Sequence, residues 1–211
     1  MGEKKEKFGE KEFKKAIENY KELEELYKEI REKQAWKDLK LLNKIAEKIH
    51  PEDPDIYNRL SRKRKLKEEI IIPDIEDGYG YKKFETVLTV YSNLLNLIKD
   101  IQAKDEKELD KKASEYVKYL KKIPLPPPQI IKELPNEIQE LIKRMLKLFQ
   151  LEKISPKEIR ESLPSYRELT EKAMPDEGLE ELFKKPIIEH YIDNQLIGYI
   201  KEIYRKYHKK S

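Results

Sequence analysis

Six cationic side chains, Arg59, Arg62, Lys63, Arg64, Lys65 and Lys67, fall within nine residues that hold no acid. The chemistry open to such a run is neutralisation of a polyanion. On a helix, Arg62 and Lys65 share one face at i,i+3, and Arg59 and Lys63 share another at i,i+4. Guanidinium groups can grip phosphate oxygens bidentately, which gives the three arginines most of the specificity. Contacts with several phosphates would make binding fall steeply with salt. The same pattern also suits a solvated helix face answered by Glu68, Glu69 and acids elsewhere in the chain.

A second cationic stretch, Tyr204 to Lys210, interleaves aromatic rings with positive charge, and Arg205 and Lys206 are its candidate nucleic-acid contacts. Rings beside cations can stack bases and steer a strand. Positive residues in a last helical turn also stabilise the helix dipole.

Other chemistry finds little footing. The chain has no cysteine, which removes disulfides, thiolate zinc sites, cysteine nucleophiles and iron–sulfur ligation. His50, His190 and His208 lie far apart and lack metal-ligand spacing, so no metal and no cofactor is expected. Asp74, Glu76 and Asp77 before Gly78 lack the further oxygen ligands of a calcium loop and read as a turn. No glycine-rich phosphate loop and no Gly-x-Ser-x-Gly elbow occurs. The chain is therefore expected to be non-catalytic. A nuclease or hydrolase would need carboxylates that converge only on folding.

The elements that must position these groups are helical. Phe13, Ile17, Tyr20, Leu23, Tyr27 and Ile30 form one stripe of a long amphipathic helix. Ala35, Leu39, Leu42, Ala46 and Ile49 continue helically to His50-Pro51, and Asp53-Pro54 opens the helix that carries the basic run. Ile70-Ile71-Ile72 reads as a short strand, and Pro73 to Gly80 as a turn-rich connection. Phe84, Val87, Leu88, Tyr91, Leu94, Leu95, Ile98 and Ile101 predict a central core helix, with Leu109, Ala113, Tyr116, Val117 and Leu120 on its antiparallel neighbour.

Lys122 to Gln129, with Pro124, Pro126, Pro127 and Pro128, predicts a stiff extended segment. After it come a helix with Ile138, Leu141, Ile142, Met145 and Phe149, then short helices with capping boxes at Ser155 and Ser165. Pro186 to Ile192 suggests a second strand, and Asp193 or Asn194 a cap for a last helix with Leu196, Ile197, Ile200, Ile203 and Tyr207 inside. The expected fold is mainly α, a multi-helix bundle with at most two short strands, Ile70–Ile72 and Ile187–Ile192. Its expected divisions are a helical region 1–122, a proline-rich connection 123–134 and a second helical region 135–211, which can also pack as one domain.

Charged residues make up 42% of the 211 and hydrophobic ones 37%, so folding must rest on periodicity rather than bulk apolarity. The wealth of Lys, Glu and Ile resembles thermophile usage, as AT-rich codons also would. No apolar run approaches the roughly 20 residues needed to span a bilayer, and no secretory signal is visible, so a cytoplasmic protein is expected. Net charge is only +4, which places the information in the clustering. The 13 tyrosines lie mostly on the apolar stripes, where an exposed group would mark a protein interface.

Three stretches resemble the N-terminal helical domain of the archaeal and eukaryotic-type DNA primase large subunit. YKKFETVLTVYSNLLNLI (Tyr81 to Ile98) and KKASEYVKYL (Lys111 to Leu120) are similar to the family's apolar helix and the one after it. YIDNQLIGYIKEIYRK (Tyr191 to Lys206) is similar to its closing strand, Asp/Asn cap and amphipathic helix. The Asp55 to Glu69 segment, with Arg59, stands where the family has a basic helix.

The resemblance implies an accessory subunit of DNA replication, an isolated domain or a shortened relative. Such a subunit binds nucleic acid, holds the primase catalytic subunit as its protein partner and carries no active-site carboxylates. The family's aromatic-proline start and Trp-Lys pair are missing, with Leu182-Phe183-Lys184 nearest to the latter, and its iron–sulfur domain needs cysteines. The competing expectation is a structural or interaction protein of a thermophile, its virus or a mobile element, recognising protein alone.

Overall fold

The computed structural model describes residues 8–33, 38–62, 70–150 and 177–208. Among them eight helices and no strand occur: α1 Glu10–Lys33, α2 Leu39–Ile49, α3 Ile56–Arg62, α4 Ile72–Lys99, α5 Glu106–Leu120, α6 Pro128–Ile131, α7 Asn136–Gln150 and α8 Glu177–His208. The protein is mainly α and bundle-like. No described helix is long and apolar enough to cross a membrane.

Helix starts follow from local chemistry. At α1 the Glu12 carboxylate accepts the Gly9 N–H at 3.0 Å, one half of a capping box. At α5, Asp105 accepts from the Glu108 N–H at 2.8 Å while Glu108 accepts from the Lys104 N–H at 2.9 Å. At α2, Asp38 Oδ1 takes the N–H groups of Lys40 and Leu41 at 2.9 and 3.3 Å. Asp38→Ala should therefore cost about 1 kcal/mol, read as a lower denaturant midpoint. An unchanged midpoint would mean that water satisfies those donors equally well.

The chain divides into two compact units. The first takes Met1–Asn93 and Lys121–Pro126, and the second Leu94–Leu120 and Pro127–Ser211. α4 contributes to both. In the first unit α2 packs on α1 and α3. Its core joins Leu23 and Ile30 of α1 to Leu42, Ile45 and Ile49 of α2, Tyr57 of α3, and Ile71 and Ile75 at the start of α4. In the second unit α8 packs on α5 and α7. The buried stripes are Leu109, Ala113, Tyr116, Val117 and Leu120 on α5 and Ile138, Leu141, Ile142 and Met145 on α7. These are the residues that the 3.6 period selects, and each fully buried aliphatic side chain contributes about 1.5–3 kcal/mol.

Several sequence expectations are corrected. Ile70 and Ile71 lie in a π-helical turn that runs into α4, so neither they nor Ile72 form a strand. Residues 73–80 belong to α4 rather than to a turn. Pro73 is tolerated there because a first helical turn leaves its N–H positions unpaired in any case. Pro186 to Ile192 is also helical, inside α8. Its isoleucines read as strand by shape, but Ile188, Ile192, Leu196 and Ile200 recur every four residues and are buried.

Asp193 and Asn194 consequently sit mid-helix and cap nothing; the Asn194 amide instead meets the His190 ring at 3.0 Å. Phe84, expected in the core, is exposed. α5 packs on α8, and its Tyr116 hydroxyl also donates to the Leu97 carbonyl of α4 at 3.5 Å. Pro127 is extended, with φ −59° and ψ 152°, but Pro128, expected in the same extended segment, opens α6, where the first helical turn leaves its N–H position unpaired. The capping boxes at Ser155 and Ser165, and Ala35, lie outside the described residues.

Candidate nucleic-acid interface

α3 is short, and Tyr57 anchors it. That ring is fully buried in the first unit's core and meets the His50 imidazole edge-on, centroids 6.0 Å apart. Burial and then the Asp74 charge push the Tyr57 phenol above its ordinary pKa. The Asp74 carboxylate in turn is held by His50 Nε2 at 2.8 Å.

Arg59, two residues on, is exposed. Its guanidinium forks onto Asp53, with Nη1 donating to Oδ1 at 2.9 Å and Nη2 to Oδ2. That hydrogen-bonded fork holds Asp53 below the usual carboxylate range and raises the arginine. A phosphate at Arg59 must therefore compete with Asp53. Arg62 is the last residue of α3. Lys63, Arg64, Lys65 and Lys67 lie outside the described residues.

The second candidate cluster is the C-terminal part of α8, where the second unit brings cations, acids and rings together. Lys201, largely covered, bridges Glu106 at 2.5 Å and Asp110, both on α5. Hydrogen bonds to those carboxylates raise its pKa, Asp110 contributing most. Arg205 also pairs with Glu106. Lys206 pairs with Glu137 at the start of α7, and the Tyr207 hydroxyl donates to the same carboxylate oxygen at 2.6 Å. Those two donors, Lys206 first, hold Glu137 down at about 2. The three members of the candidate set whose side chains are described, Arg59, Arg205 and Lys206, thus stand in ion pairs.

The structure adds a cation that spacing did not single out. Lys99, in the last turn of α4, places its ammonium 3.9 Å from the centroid of the Tyr207 ring, and Lys206 lies 5.5 Å from the same centroid. Lys99 has no carboxylate partner among the described residues. Flanking Tyr207 on α8, Tyr204 and His208 stack with centroids 4.1 Å apart and planes 12° from parallel. Arg144 of α7 covers the Tyr199 ring at 4.0 Å. Rings and cations alternate along this end of the helix, the pattern suited to single strands. Only the α8 half of it was visible in the sequence, because Lys99 and Glu137 join from distant positions.

Elsewhere the polar groups are committed to structure. Glu76 pairs with Arg31 and Asp74 with His50, so these two acids of the stretch serve helix packing. Among the described residues no group of three or more His, Asp or Glu is arranged to hold a metal ion. Tyr27 and Tyr79 stack at 4.4 Å, and the Tyr20 and Tyr79 hydroxyls both donate to Glu24, at 3.1 and 3.4 Å, fastening α1 to α4. No protein family, curated protein or solved structure matches the chain.

Proposed function

We propose that the chain is a non-catalytic helical accessory protein that binds nucleic acid through phosphates and, in its narrower form, a primase-large-subunit-like subunit of DNA replication in the cytoplasm. The observation that carries the reading is the cationic ring arrangement at Tyr207, with Lys99 beside it and no described carboxylate on that ammonium. The acid-free run from Arg59 to Lys67 supplies further charge. Consecutive helices over Tyr81 to Leu120 are in keeping with the family resemblance. The helical course of Tyr191 and Ile192, where the family has a strand, speaks against the narrower form.

Titration across about 50–200 mM salt tests the proposal. Neutralising four to six phosphates predicts a log–log slope of roughly −3 to −5, and Arg62→Glu with Arg64→Glu should flatten it by about 2. A salt-insensitive shift, or one that the double reversal leaves intact, would count against phosphate binding.

A second reading, recognition of protein alone, has its own support. Tyr81 is 64% exposed and Phe84, one turn on along α4, is 41% exposed. Aromatic rings in such positions suit a protein contact. Light scattering decides between the two. A stable homo-oligomer that ignores nucleic acid, and that Tyr81→Ser with Phe84→Ser breaks into monomers, favours the second.

A further inference from the structure

We propose that the Tyr207 end of α8 is a stacking site for an unpaired base of single-stranded nucleic acid, with Lys99 taking the adjoining phosphate. This rests on the nucleic-acid reading above and narrows it to a strand class and a contact. Tyr207 remains 41% exposed although its hydroxyl is fixed on Glu137. A ring that is held at one end and wet over much of its surface loses little freedom when a base lies against it. Lys99 covers one face of the same ring, so a base takes the opposite face or displaces the flexible ammonium onto its own phosphate, and no carboxylate among the described residues competes for that ammonium.

The acid in the site is already engaged. Glu137 accepts from both the Lys206 ammonium and the Tyr207 hydroxyl, so its repulsion of a passing phosphate is offset locally. Tyr204 and His208 add a second aromatic pair within one turn, where a neighbouring base can follow. The interior of a duplex offers no base face to such a ring, whereas every unpaired base does. Stacking is tolerant of base identity, so the site selects strandedness rather than sequence. DNA and RNA single strands share this chemistry, and the 2′-hydroxyl is what would separate them.

The test uses the full chain and fluorescence anisotropy at low salt, with labelled mixed-sequence single strands of DNA and of RNA and a hairpin duplex of matched composition. The single strands should bind roughly tenfold or more tightly than the duplex. Tyr207→Ala should remove roughly tenfold of single-strand affinity and leave duplex affinity within about twofold, whereas Tyr207→Phe should keep the preference. A second measurement does not depend on the alanine variant folding. Tyr207→Trp in a Trp36→Phe background should lose emission when a single strand is added, and much less when the duplex is added.

Unchanged single-strand affinity in a helical Tyr207→Ala protein overturns the stacking site, as does unquenched indole emission from the Tyr207→Trp protein with strand bound. If Arg62→Glu with Arg64→Glu still weakens both strand forms, the phosphate reading survives that result. Wild-type protein that binds none of the three probes overturns both.

Discussion

Gly78→Ala should destabilise the first unit by about 1–3 kcal/mol, while Gly80→Ala, two residues along the same helix, should stabilise it by about 0.5–1 kcal/mol. Both glycines lie inside α4, where alanine is otherwise the better helix former. They differ in what a β-carbon would meet. At Gly78 it would lie 2.0 Å from Ile49 Cγ2 and 3.3 Å from Ile49 Cβ, whereas at Gly80 nothing stands within 4 Å. Ile49 is buried, β-branched and the last residue of α2, so its Cγ2 cannot swing clear without moving the helix end.

That end is also where His50 meets Asp74, one turn before Gly78. Displacing it loosens that hydrogen bond and a core contact together. Urea unfolding of the two single variants reads the opposite signs directly. Ile49→Ala removes the obstructing methyl, so the double variant should lose less than the two single costs added together. Equal stability of the Gly78 and Gly80 alanine proteins would refute the close approach of α2 to α4.

Gly78 also illustrates what the sequence could and could not disclose. Asp77-Gly78 looks like a turn, because glycine and aspartate relieve backbone strain in turns. Here the glycine serves helix-to-helix approach, which depends on a residue 29 positions earlier. The buried stripes on α1, α5 and α7 were legible because they repeat within one helix, and each burial needs only a neighbour of any kind. The isoleucine runs at 70–72 and 187–192 misled because β-branching favours strands locally, and long-range packing on a helical stripe overrode it. The candidate site was half legible. Rings and cations on α8 were in plain view, but Glu106, Asp110 and Glu137, which hold Lys201, Arg205 and Lys206, come from α5 and α7. Spacing along one chain segment carries no information about such partners.

Raising the pH above about 10 should destabilise the first unit through two of its tyrosines, by about 2 kcal/mol each by about pH 11.5. Tyr57 and Tyr91 are fully buried, and neither hydroxyl has a hydrogen-bond partner. Burial raises both phenols above their ordinary value, and at Tyr57 the Asp74 carboxylate adds to it. In the unfolded chain each ionises near its ordinary value of about 10. Above that pH the unfolded state binds fewer protons than the folded one, so stability falls as pH rises, with a limiting slope near 1.4 kcal/mol per pH unit for each ring.

Phenylalanine cannot ionise. Tyr57→Phe with Tyr91→Phe should therefore flatten the alkaline limb. Removing the Tyr91 hydroxyl, which has no hydrogen-bond partner and only burial acting on it, should also raise stability near neutrality by about 1–3 kcal/mol. Lys201 and Lys206, whose carboxylate partners raise their pKa, lose stabilisation in the same alkaline range, so a residual slope is expected in the double variant. The informative quantity is the difference between wild type and double variant in guanidinium midpoints from about pH 8 to pH 11.5. That gap must widen with pH by about 4 kcal/mol for two buried phenols. Parallel curves would show that both hydroxyls reach water in the folded protein.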